Sequence, residues 1–315
     1  MQHYYTLSEA QLQRPSVVTI GVFDGVHRGH QALIHTLVDA AQAQDRLAVA
    51  LTFFPHPDVV LRGLSGRYYL TTPDERAHLL GALGVDCVVT ETFDDAFRHI
   101  RAADYVERMQ KHLRLSSLWV GADFALGFQR EGTVPWLRAA GEARGFSVET
   151  LELILANGDH TAISSSGIRA ALQEGAVEQA RAWLGRPYSV TGEVVHGLAR
   201  GRTIGIPTAN VAAWEAQVLP AHGVYAGWAK LGDERFMAMT NVGMRPTFTG
   251  QEITVEAHLL DFDRDIYGQP LTVTFEKRLR AEMKFDGIDS LLAQIQRDIA
   301  AGRAWLTSDQ AGSTK

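Results

Sequence analysis

Apolar positions in the first half of the chain alternate between short β-branched runs and segments with the helical period. Such alternation is typical of a parallel sheet whose strands are connected by helices packed on its faces. The runs predict strands at residues 16–21, 47–54, 86–90, 117–121 and 147–153. Helices are predicted between them at residues 29–42, 73–83, 102–113 and 133–141. Residues 72–75, Thr-Pro-Asp-Glu, form a capping box with proline at the first helical position, which marks the start of the second helix.

After residue 184 the pattern changes to β-rich stretches separated by glycine and proline turns. Strands are predicted at residues 188–196, 223–230, 235–242, 253–260 and 269–276, which indicates an antiparallel sheet or small barrel. One face of an amphipathic helix that would cover this sheet is indicated by Ile288, Leu291, Leu292, Ile295 and Ile299. The polar residues 307–315 are expected to fray. A chain of 315 residues suits two domains, and we predict them at residues 1–184 and 185–315.

Composition and charge exclude several classes of protein. The formal net charge is −6, which argues against a strong field for polyanions and hence against nucleic acid as the main ligand. Cys87 is the only cysteine, so an internal disulfide and a cysteine-based zinc site are both excluded. The longest nearly apolar stretch, residues 47–54, is too short to cross a bilayer, and the N-terminus lacks the pattern of a secretion signal. We therefore expect a cytoplasmic protein that binds neither nucleic acid nor membrane.

The most informative segment is residues 19–30, which connect the first predicted strand to the first predicted helix and read Thr-Ile-Gly-Val-Phe-Asp-Gly-Val-His-Arg-Gly-His. In an open parallel sheet, ligands bind at the carboxyl ends of the strands. The glycines Gly21 and Gly29 let the backbone approach a ligand, and the amides at the start of a helix attract phosphate. His27 and His30 could donate hydrogen bonds to a phosphate chain as negative charge develops on it.

Two other interpretations of this histidine pair stay open. The pair could bind zinc, in which case His56 is the only nearby third ligand, or it could be a capped surface turn. The position of the string between an apolar strand and a helix favours a nucleotidyltransferase site.

Two further segments of the first domain carry candidate chemistry. Residues 163–169, Ile-Ser-Ser-Ser-Gly-Ile-Arg, precede a short helical segment at residues 170–174. Serines at a helix start are usually caps, whereas the guanidinium of Arg169 suits a triphosphate, and the two roles are compatible. Asp123 follows the fourth predicted strand, where a carboxylate could contact a ribose or an amine.

The second domain contains its own polar segment at residues 201–210, Gly-Arg-Thr-Ile-Gly-Ile-Pro-Thr-Ala-Asn. In an extended segment Thr208 and Asn210 point to the same face, so both oxygens could bind one hard cation such as Mg²⁺, although an ordinary loop is the alternative. Glu256 lies within an apolar strand, where an unpaired charge is costly. It is either a general base near a metal-bound triphosphate or a solvent-facing residue of a half-exposed strand.

Seven strings, in order along nearly the whole chain, together resemble the bacterial bifunctional riboflavin kinase/FAD synthetase family. They are GVFDGVHRGH, FFPHP, VGADF, SSSGIR, GRTIGIPTAN, NVGMRPTF and VEAHLLDFDRDIYG. Each string alone is weak evidence for the family, and the resemblance rests on their joint order along the chain. It implies an N-terminal α/β Rossmann-like nucleotidyltransferase domain, followed by a small antiparallel six-stranded β-barrel domain with a C-terminal helix.

The resemblance also implies roles for individual residues. It implies that His27 and His30 hold the ATP phosphates, that Ser165, Ser166 and Arg169 form a second phosphate motif, and that Glu256 is the catalytic base of the barrel domain. The predicted catalytic residues are thus His27, His30, Arg169 and Glu256. The predicted substrate-binding residues are Gly21, Phe23, Asp24, Gly29, Asp123, Ser165, Ser166, Gly201, Arg202 and Gly205. The predicted Mg²⁺ ligands are Thr208 and Asn210.

Two positions depart from the family's pattern. Ser166 stands where the family usually has threonine, a change that keeps the hydroxyl. Residues 125–128 read Ala-Leu-Gly-Phe instead of the more basic or aromatic pattern of the family, so the contacts with flavin there are left open.

The function implied is two successive transfers from ATP. Residues 185–315 would phosphorylate riboflavin to FMN with Mg²⁺, and residues 1–184 would adenylylate FMN to FAD. Apo-flavoproteins are candidate recipients of the products, and assembly into an oligomer is left open. Two alternatives are an adenylyltransferase for another phosphate substrate with a regulatory barrel, and a flavin carrier with an inactive site.

Overall fold

The computed structural model describes residues 1–151, 163–197, 201, 204–247 and 250–313. The chain divides into two compact units, one comprising Met1–Gly66 and Leu70–Ser165, the other Arg67–Tyr69 and Ser166–Lys315. Residues 166–184 therefore pack with the second unit. The predicted boundary between the two activities, after residue 184, stays a prediction.

The first unit is built on a six-stranded parallel sheet with the order β1-β4-β3-β2-β5-β8. Every residue of its central strand β2 is buried, as is expected when helices cover both faces of a parallel sheet. The strands are β1 (Gln2–Tyr4), β2 (Ser16–Ile20), β3 (Leu47–Phe54), β4 (Cys87–Thr92), β5 (Leu115–Gly121), β6 (Ala125–Leu126), β7 (Gly132–Thr133) and β8 (Ser147–Leu151). The short strands β6 and β7 pair with each other outside the main sheet.

Helices pack on both faces of this sheet. They are α1 (Arg28–Ala43), α2 (Pro57–Arg62), α3 (Pro73–Ala82), α4 (Ala102–Leu113) and α5 (Val134–Arg144). One core joins α1 and α3 to the sheet through residues such as Ile34 and Leu80, and a second joins α4 and α5 through residues such as Met109 and Leu137. The prediction of a Rossmann-like α/β domain is confirmed. The sequence analysis did not predict β1 and α2, because three and six residues are too few to show a period.

The second unit contains a closed antiparallel barrel of six strands in the order β12-β13-β10-β9-β14-β11, closed by pairing of β11 with β12. The strands are β9 (Tyr188–Val195), β10 (Ala209–Ala213), β11 (Gly223–Leu231), β12 (Glu234–Thr247), β13 (Gly250–Leu259), β14 (Pro270–Phe275) and β15 (Lys277–Arg280). Strand β15 follows β14 after one residue and continues the pairing along β11. Buried aromatic residues fill the interior, among them Tyr188, Tyr225 and Phe275. The predicted six-stranded barrel is confirmed.

Among the described residues, three helices accompany the barrel: α6 (Ser165–Glu174), α7 (Val177–Leu184) and α8 (Ile288–Ser313). Helix α8 packs on the outer face of β11 and β12, where Leu306 contacts Met239 in a buried cluster. Leu306 is buried, and the helix continues beyond it to Ser313. The fraying expected from residue 307 stays a prediction. Within the described ranges, no helix is both long enough and apolar enough to cross a membrane.

Candidate active sites

The loop between β2 and α1 forms the first candidate site. Its backbone is left-handed at Phe23, Gly25 and Val26, with φ of 52°, 80° and 41°. These turns bury the ring of Phe23 and fold it back over Gly21, where a Cβ would lie 2.8 Å from the ring atom Cζ. Gly21 therefore provides space for Phe23, and the loop holds a compact shape at the carboxyl end of the sheet.

Asp24 ties this loop to its neighbours. Its side chain is almost fully buried, and its Oδ1 accepts hydrogen bonds from the backbone N–H of Leu70 and Thr71 at 3.0 and 3.2 Å. Its backbone oxygen accepts a hydrogen bond from the hydroxyl of Ser165 at 2.8 Å. Two predicted site residues distant in sequence are thus brought together. Their predicted contact with a substrate stays a prediction.

The two histidines of the motif stack on each other at the start of α1. His27 is the N-cap of the helix, its Nδ1 accepts the N–H of His30 at 3.4 Å, and the ring centroids are 3.6 Å apart. Gly29 makes room for this arrangement, because a Cβ there would lie 3.2 Å from Cε1 of His27. His27 is therefore the helix cap, and its predicted role in binding phosphate stays a prediction.

Burial and the neighbouring side chains of His27 and Arg76 control the protonation of His30. Burial is the largest cause, and His27 and then Arg76 add to it, so the pKa of His30 lies well below its ordinary value. The imidazole of His30 is consequently neutral at pH 7. A neutral imidazole donates one N–H and accepts at its other nitrogen, so it can bind phosphate oxygens without carrying a charge.

A zinc site is not assembled around this pair. His56 caps α2 instead, because its Nδ1 accepts the N–H of Asp58 at 3.0 Å. In the ranges that the structure describes, no group of three or more histidine, cysteine, aspartate or glutamate side chains is placed to bind a metal ion.

Arg76 contacts the loop of this candidate site, although no sequence pattern pointed to it. It is completely buried, and its guanidinium donates hydrogen bonds to the backbone oxygens of Val22 at 2.6 Å and Phe53 at 3.2 Å. It thereby connects the loop after β2 to the end of β3. A single arginine in an otherwise ordinary helix gives no sequence signal for this role.

Beside the loop, an apolar cavity of about 680 Å³ opens at the carboxyl ends of the parallel strands. Its aromatic lining comprises Phe53, Phe93, Phe97, Tyr105, Phe124 and Phe128. Asp123, which follows β5, and residues 125–128 also line this cavity. The predicted contact of Asp123 with a ligand stays a prediction. The hydroxyl of Tyr105 is buried there without a hydrogen-bond partner among the described residues. Such a cavity suits a flat, largely apolar ring with a few polar edges.

Arg169 and Ser166 lie in the first turns of α6. Arg169 is half-buried, and its Nε donates a hydrogen bond to the backbone oxygen of Tyr68 at 2.7 Å. Its guanidinium also lies over the aromatic ring of Tyr68, 4.0 Å from the ring centroid. Ser166 is exposed at the helix start. Their predicted binding of phosphate stays a prediction.

The second candidate site lies on the outer face of the barrel. Strand pairing places Asn210 of β10 opposite Glu256 of β13, and places Asn241 of β12 opposite Glu256 on its other side. Thr208 immediately precedes β10, and the Cβ that Gly201 lacks would lie 3.4 Å from its hydroxyl oxygen. Gly205 adopts a left-handed turn with φ of 77°. Arg202 lies outside the described residues.

Two cavities meet at Thr208. One, of about 340 Å³, is lined by Thr208, Pro207 and the loop that carries Phe262, Arg264 and Tyr267. The other, of about 360 Å³, lies between the barrel and α8 and is lined by Thr208, Glu256, Asn241 and apolar side chains of α8. Thr208 thus lines both cavities.

Comparison with known proteins agrees with this arrangement. The sequence model described as FAD synthetase matches residues 9–167, and the one described as riboflavin kinase matches residues 184–306. The bifunctional riboflavin kinase/FMN adenylyltransferase of Escherichia coli K12 is 38% identical over 301 residues, which cover 95% of each chain. The chain belongs to this family.

Other members are similar over comparable lengths. The enzyme of the same description from Bacillus subtilis 168 is 35% identical over 292 residues, which cover 91% of each chain. A crystal structure described as a macrolide-efflux protein from Streptococcus pneumoniae has a TM-score of 0.85 and 31% identity, and the match covers 96% of this chain and 98% of that one. The family assignment confirms the resemblance inferred from the seven strings. It also disfavours a purely regulatory barrel, because the barrel matches the riboflavin kinase model.

Proposed function

We propose that the chain makes FMN and then FAD, using ATP in both steps. The kinase site is supported by the position of Thr208 between two cavities, since phosphoryl transfer needs a nucleotide on one side and an acceptor on the other. The adenylyltransferase site is supported by the stacked His27 and His30 beside an aromatic cavity at the carboxyl ends of the strands.

In the kinase step, riboflavin occupies the cavity against α8 and ATP occupies the cavity on the other side of Thr208. Glu256 takes the proton of the terminal ribityl hydroxyl while that oxygen attacks the γ-phosphorus. A new oxygen–phosphorus bond forms, the bond from the γ-phosphorus to the β,γ-bridging oxygen breaks, and FMN and ADP result. Holding both substrates in line supplies much of the rate enhancement.

Thr208 and Asn210 are the residues that would hold Mg²⁺. A hydroxyl and a side-chain amide fit this ion, which prefers oxygen ligands and uses few protein groups besides water and substrate phosphates. The amide of Asn210 is seated over Gly197, where a Cβ would lie 2.8 Å from Oδ1. When bound, Mg²⁺ neutralises charge on the phosphates.

In the adenylyl step, a phosphate oxygen of FMN attacks the α-phosphorus of ATP and pyrophosphate leaves. The nucleophile is already ionised at neutral pH, so no general base is needed. Neutral His30 and the amides at the start of α1 donate hydrogen bonds to phosphate oxygens as charge shifts toward pyrophosphate. The aromatic cavity receives the flavin ring.

The proposal extends to the location of the enzyme in the cell and to the recipients of its products. We place the enzyme in the cytoplasm, where its substrates ATP and riboflavin meet, and we regard apo-flavoproteins as recipients of FMN and FAD. Both activities reside in one chain, and assembly into an oligomer is compatible with them.

Product analysis tests the proposal directly. The purified chain is incubated with riboflavin, ATP and Mg²⁺, and the flavins are separated by chromatography. We expect FMN to appear first and FAD to follow. Accumulation of FMN alone, with added FMN never converted, would overturn the adenylyltransferase half, and absence of any phosphorylated flavin would overturn the kinase half.

A further inference from the structure

Asn241 occupies a position that mirrors that of Asn210. Both residues lie directly opposite Glu256, one on each neighbouring strand, so the row Asn210, Glu256, Asn241 runs across three strands on one face of the barrel. Cross-strand neighbours on one face have Cβ atoms about 4.5–5.5 Å apart, within reach of one small substrate group. The sequence analysis assigned Asn241 no role.

The cavity around Asn241 divides into an apolar part and a polar part. The apolar part is formed largely by Met239, Met283, Phe285, Leu291, Ile295 and Ile299. Half-buried Asn241 and Glu256 lie on the barrel side of the same cavity. A ligand that fits both parts combines an apolar group with a hydrogen-bonding group, as riboflavin does with its flavin ring and ribityl chain.

The other charged or titratable groups of this cavity have partners of their own. Arg280 pairs with Asp298 on α8 at 2.9 Å, and Nδ1 of His258 lies 2.7 Å from the backbone oxygen of Pro207. Glu282 lies 3.8 Å from the imidazole of His222. Asn241 therefore differs from them as an uncharged group that offers both a donor and an acceptor, which is what a hydroxyl requires.

Gly243 sets the place of the Asn241 amide. A Cβ on Gly243 would lie 2.9 Å from Nδ2 of Asn241 and 2.6 Å from Oε1 of Glu282. The amide thus lies over a glycine that leaves room for it, with its nitrogen on the side of Glu282.

We propose that Asn241 binds hydroxyl groups of the ribityl chain of riboflavin and thereby places the terminal hydroxyl at Glu256. The inference rests on the proposed kinase function and adds to it a residue that determines specificity for a polyhydroxylated chain. Asn241 contributes to recognition of the chain and not of the flavin ring.

A comparison of two ligands separates these contributions. Lumiflavin has the flavin ring without the ribityl chain, so its inhibition constant against riboflavin in the kinase reaction reports the ring alone. Asn241→Leu keeps the approximate volume and removes both hydrogen-bonding groups. We expect the KM for riboflavin to rise about 10-fold, the loss typical of one or two hydrogen bonds, while the inhibition constant of lumiflavin stays unchanged.

Two controls keep the outcomes distinct. Thr191→Val removes a hydroxyl from an exposed position of β9 outside both cavities and should leave the KM and the lumiflavin constant unchanged. Conversion of added FMN to FAD by each variant checks that the chain is intact. An equal loss of affinity for riboflavin and lumiflavin in Asn241→Leu would mean that the residue only supports the cavity wall, and an unchanged KM would also overturn the inference.

Glu256→Gln distinguishes a failure of this inference from a failure of the proposed kinase site. If Glu256→Gln loses phosphorylation while Asn241→Leu keeps the wild-type KM, only the role of Asn241 is refuted. If the wild-type chain phosphorylates no riboflavin, the proposed kinase function itself is refuted, and the role of Asn241 is refuted with it.

Discussion

At the scale of single residues, the two transfers place opposite demands on side-chain chemistry. The kinase step starts from a neutral hydroxyl and needs a base, a role we propose for Glu256, which lines the cavity against α8. The adenylyl step starts from an ionised phosphate and needs hydrogen-bond donors. We propose that His30 meets that need as a neutral donor, since burial of its imidazole, His27 and Arg76 lower its pKa.

Replacement of His30 tests its role as a donor. We expect His30→Ala to lower conversion of FMN to FAD by ~100-fold or more, because a donor to developing phosphate charge contributes that order of rate. Phosphorylation of riboflavin in the same sample should continue at the wild-type rate. Full retention of FAD synthesis would show that the His30 ring only packs against His27 at the start of α1.

Replacement of Glu256 tests the base. Glu256→Gln keeps size and hydrogen-bonding reach but cannot accept the proton, so riboflavin phosphorylation should fall by about 10²–10⁴-fold. Conversion of supplied FMN to FAD and an unchanged unfolding midpoint would show that the variant is folded. A wild-type rate of phosphorylation would assign Glu256 to the exposed face of the strand, and the base would have to be another group.

Residues differ in how far the sequence reveals them. His27, His30, Thr208 and Glu256 could be named from sequence because they belong to short strings whose chemistry is readable. Arg76 belongs to no such string, and its contacts depend on which backbone oxygens a buried guanidinium reaches. Asn241 opens the string NVGMRPTF, but only the strand register shows that it lies opposite Glu256.

At the scale of elements, long periodic segments were predicted well and short ones were not. The predicted strand 47–54 and helix 102–113 have the bounds of β3 and α4, because their apolar positions repeat over eight and twelve residues. Helix α7 was missed although it has eight residues, and β15 was missed because it has only four. Helix α6 begins at Ser165, five residues before the predicted start, since the serines there belong to the helix itself.

At Gly227 of the barrel, the addition of one methyl group should strongly lower stability. A Cβ on Gly227 of β11 would overlap the backbone oxygen of Thr274 in the neighbouring strand β14. We expect Gly227→Ala to lower the free energy of unfolding of the barrel by ~3 kcal/mol, because backbone atoms would have to move apart. Riboflavin kinase activity should then be lost at a lower temperature than FMN adenylyltransferase activity.

Gly232 provides the matched control for this variant. It lies in the turn between β11 and β12 with φ of 57°, and a Cβ there would meet nothing within 4 Å. Gly232→Ala should therefore cost only the left-handed backbone conformation, about 1–2 kcal/mol. Calorimetry measures the unfolding temperature of both variants. If both alanine substitutions lower this temperature equally, the close approach of β11 and β14 does not add to the cost of a side chain at Gly227.

At the scale of the whole molecule, each unit carries a candidate active site of its own. The stacked histidines and the aromatic cavity belong to the first unit, and the two cavities that meet at Thr208 belong to the second. The product of one site is the substrate of the other, so a defect in one unit should be corrected by an intact copy of that unit on a different chain.

Mixing the two single-site variants tests this separation. Given riboflavin, ATP and Mg²⁺, His30→Ala alone should stop at FMN, and Glu256→Gln alone should make almost no phosphorylated flavin. Their mixture should make FAD after a lag that shortens as the concentration of His30→Ala chain rises, because FMN must leave one chain and bind another. Chromatography of samples taken over time measures the lag. If the mixture accumulates FMN but no FAD, while Glu256→Gln still converts added FMN at the same concentration, FMN released by one chain does not serve the other and the two steps require a shared chain.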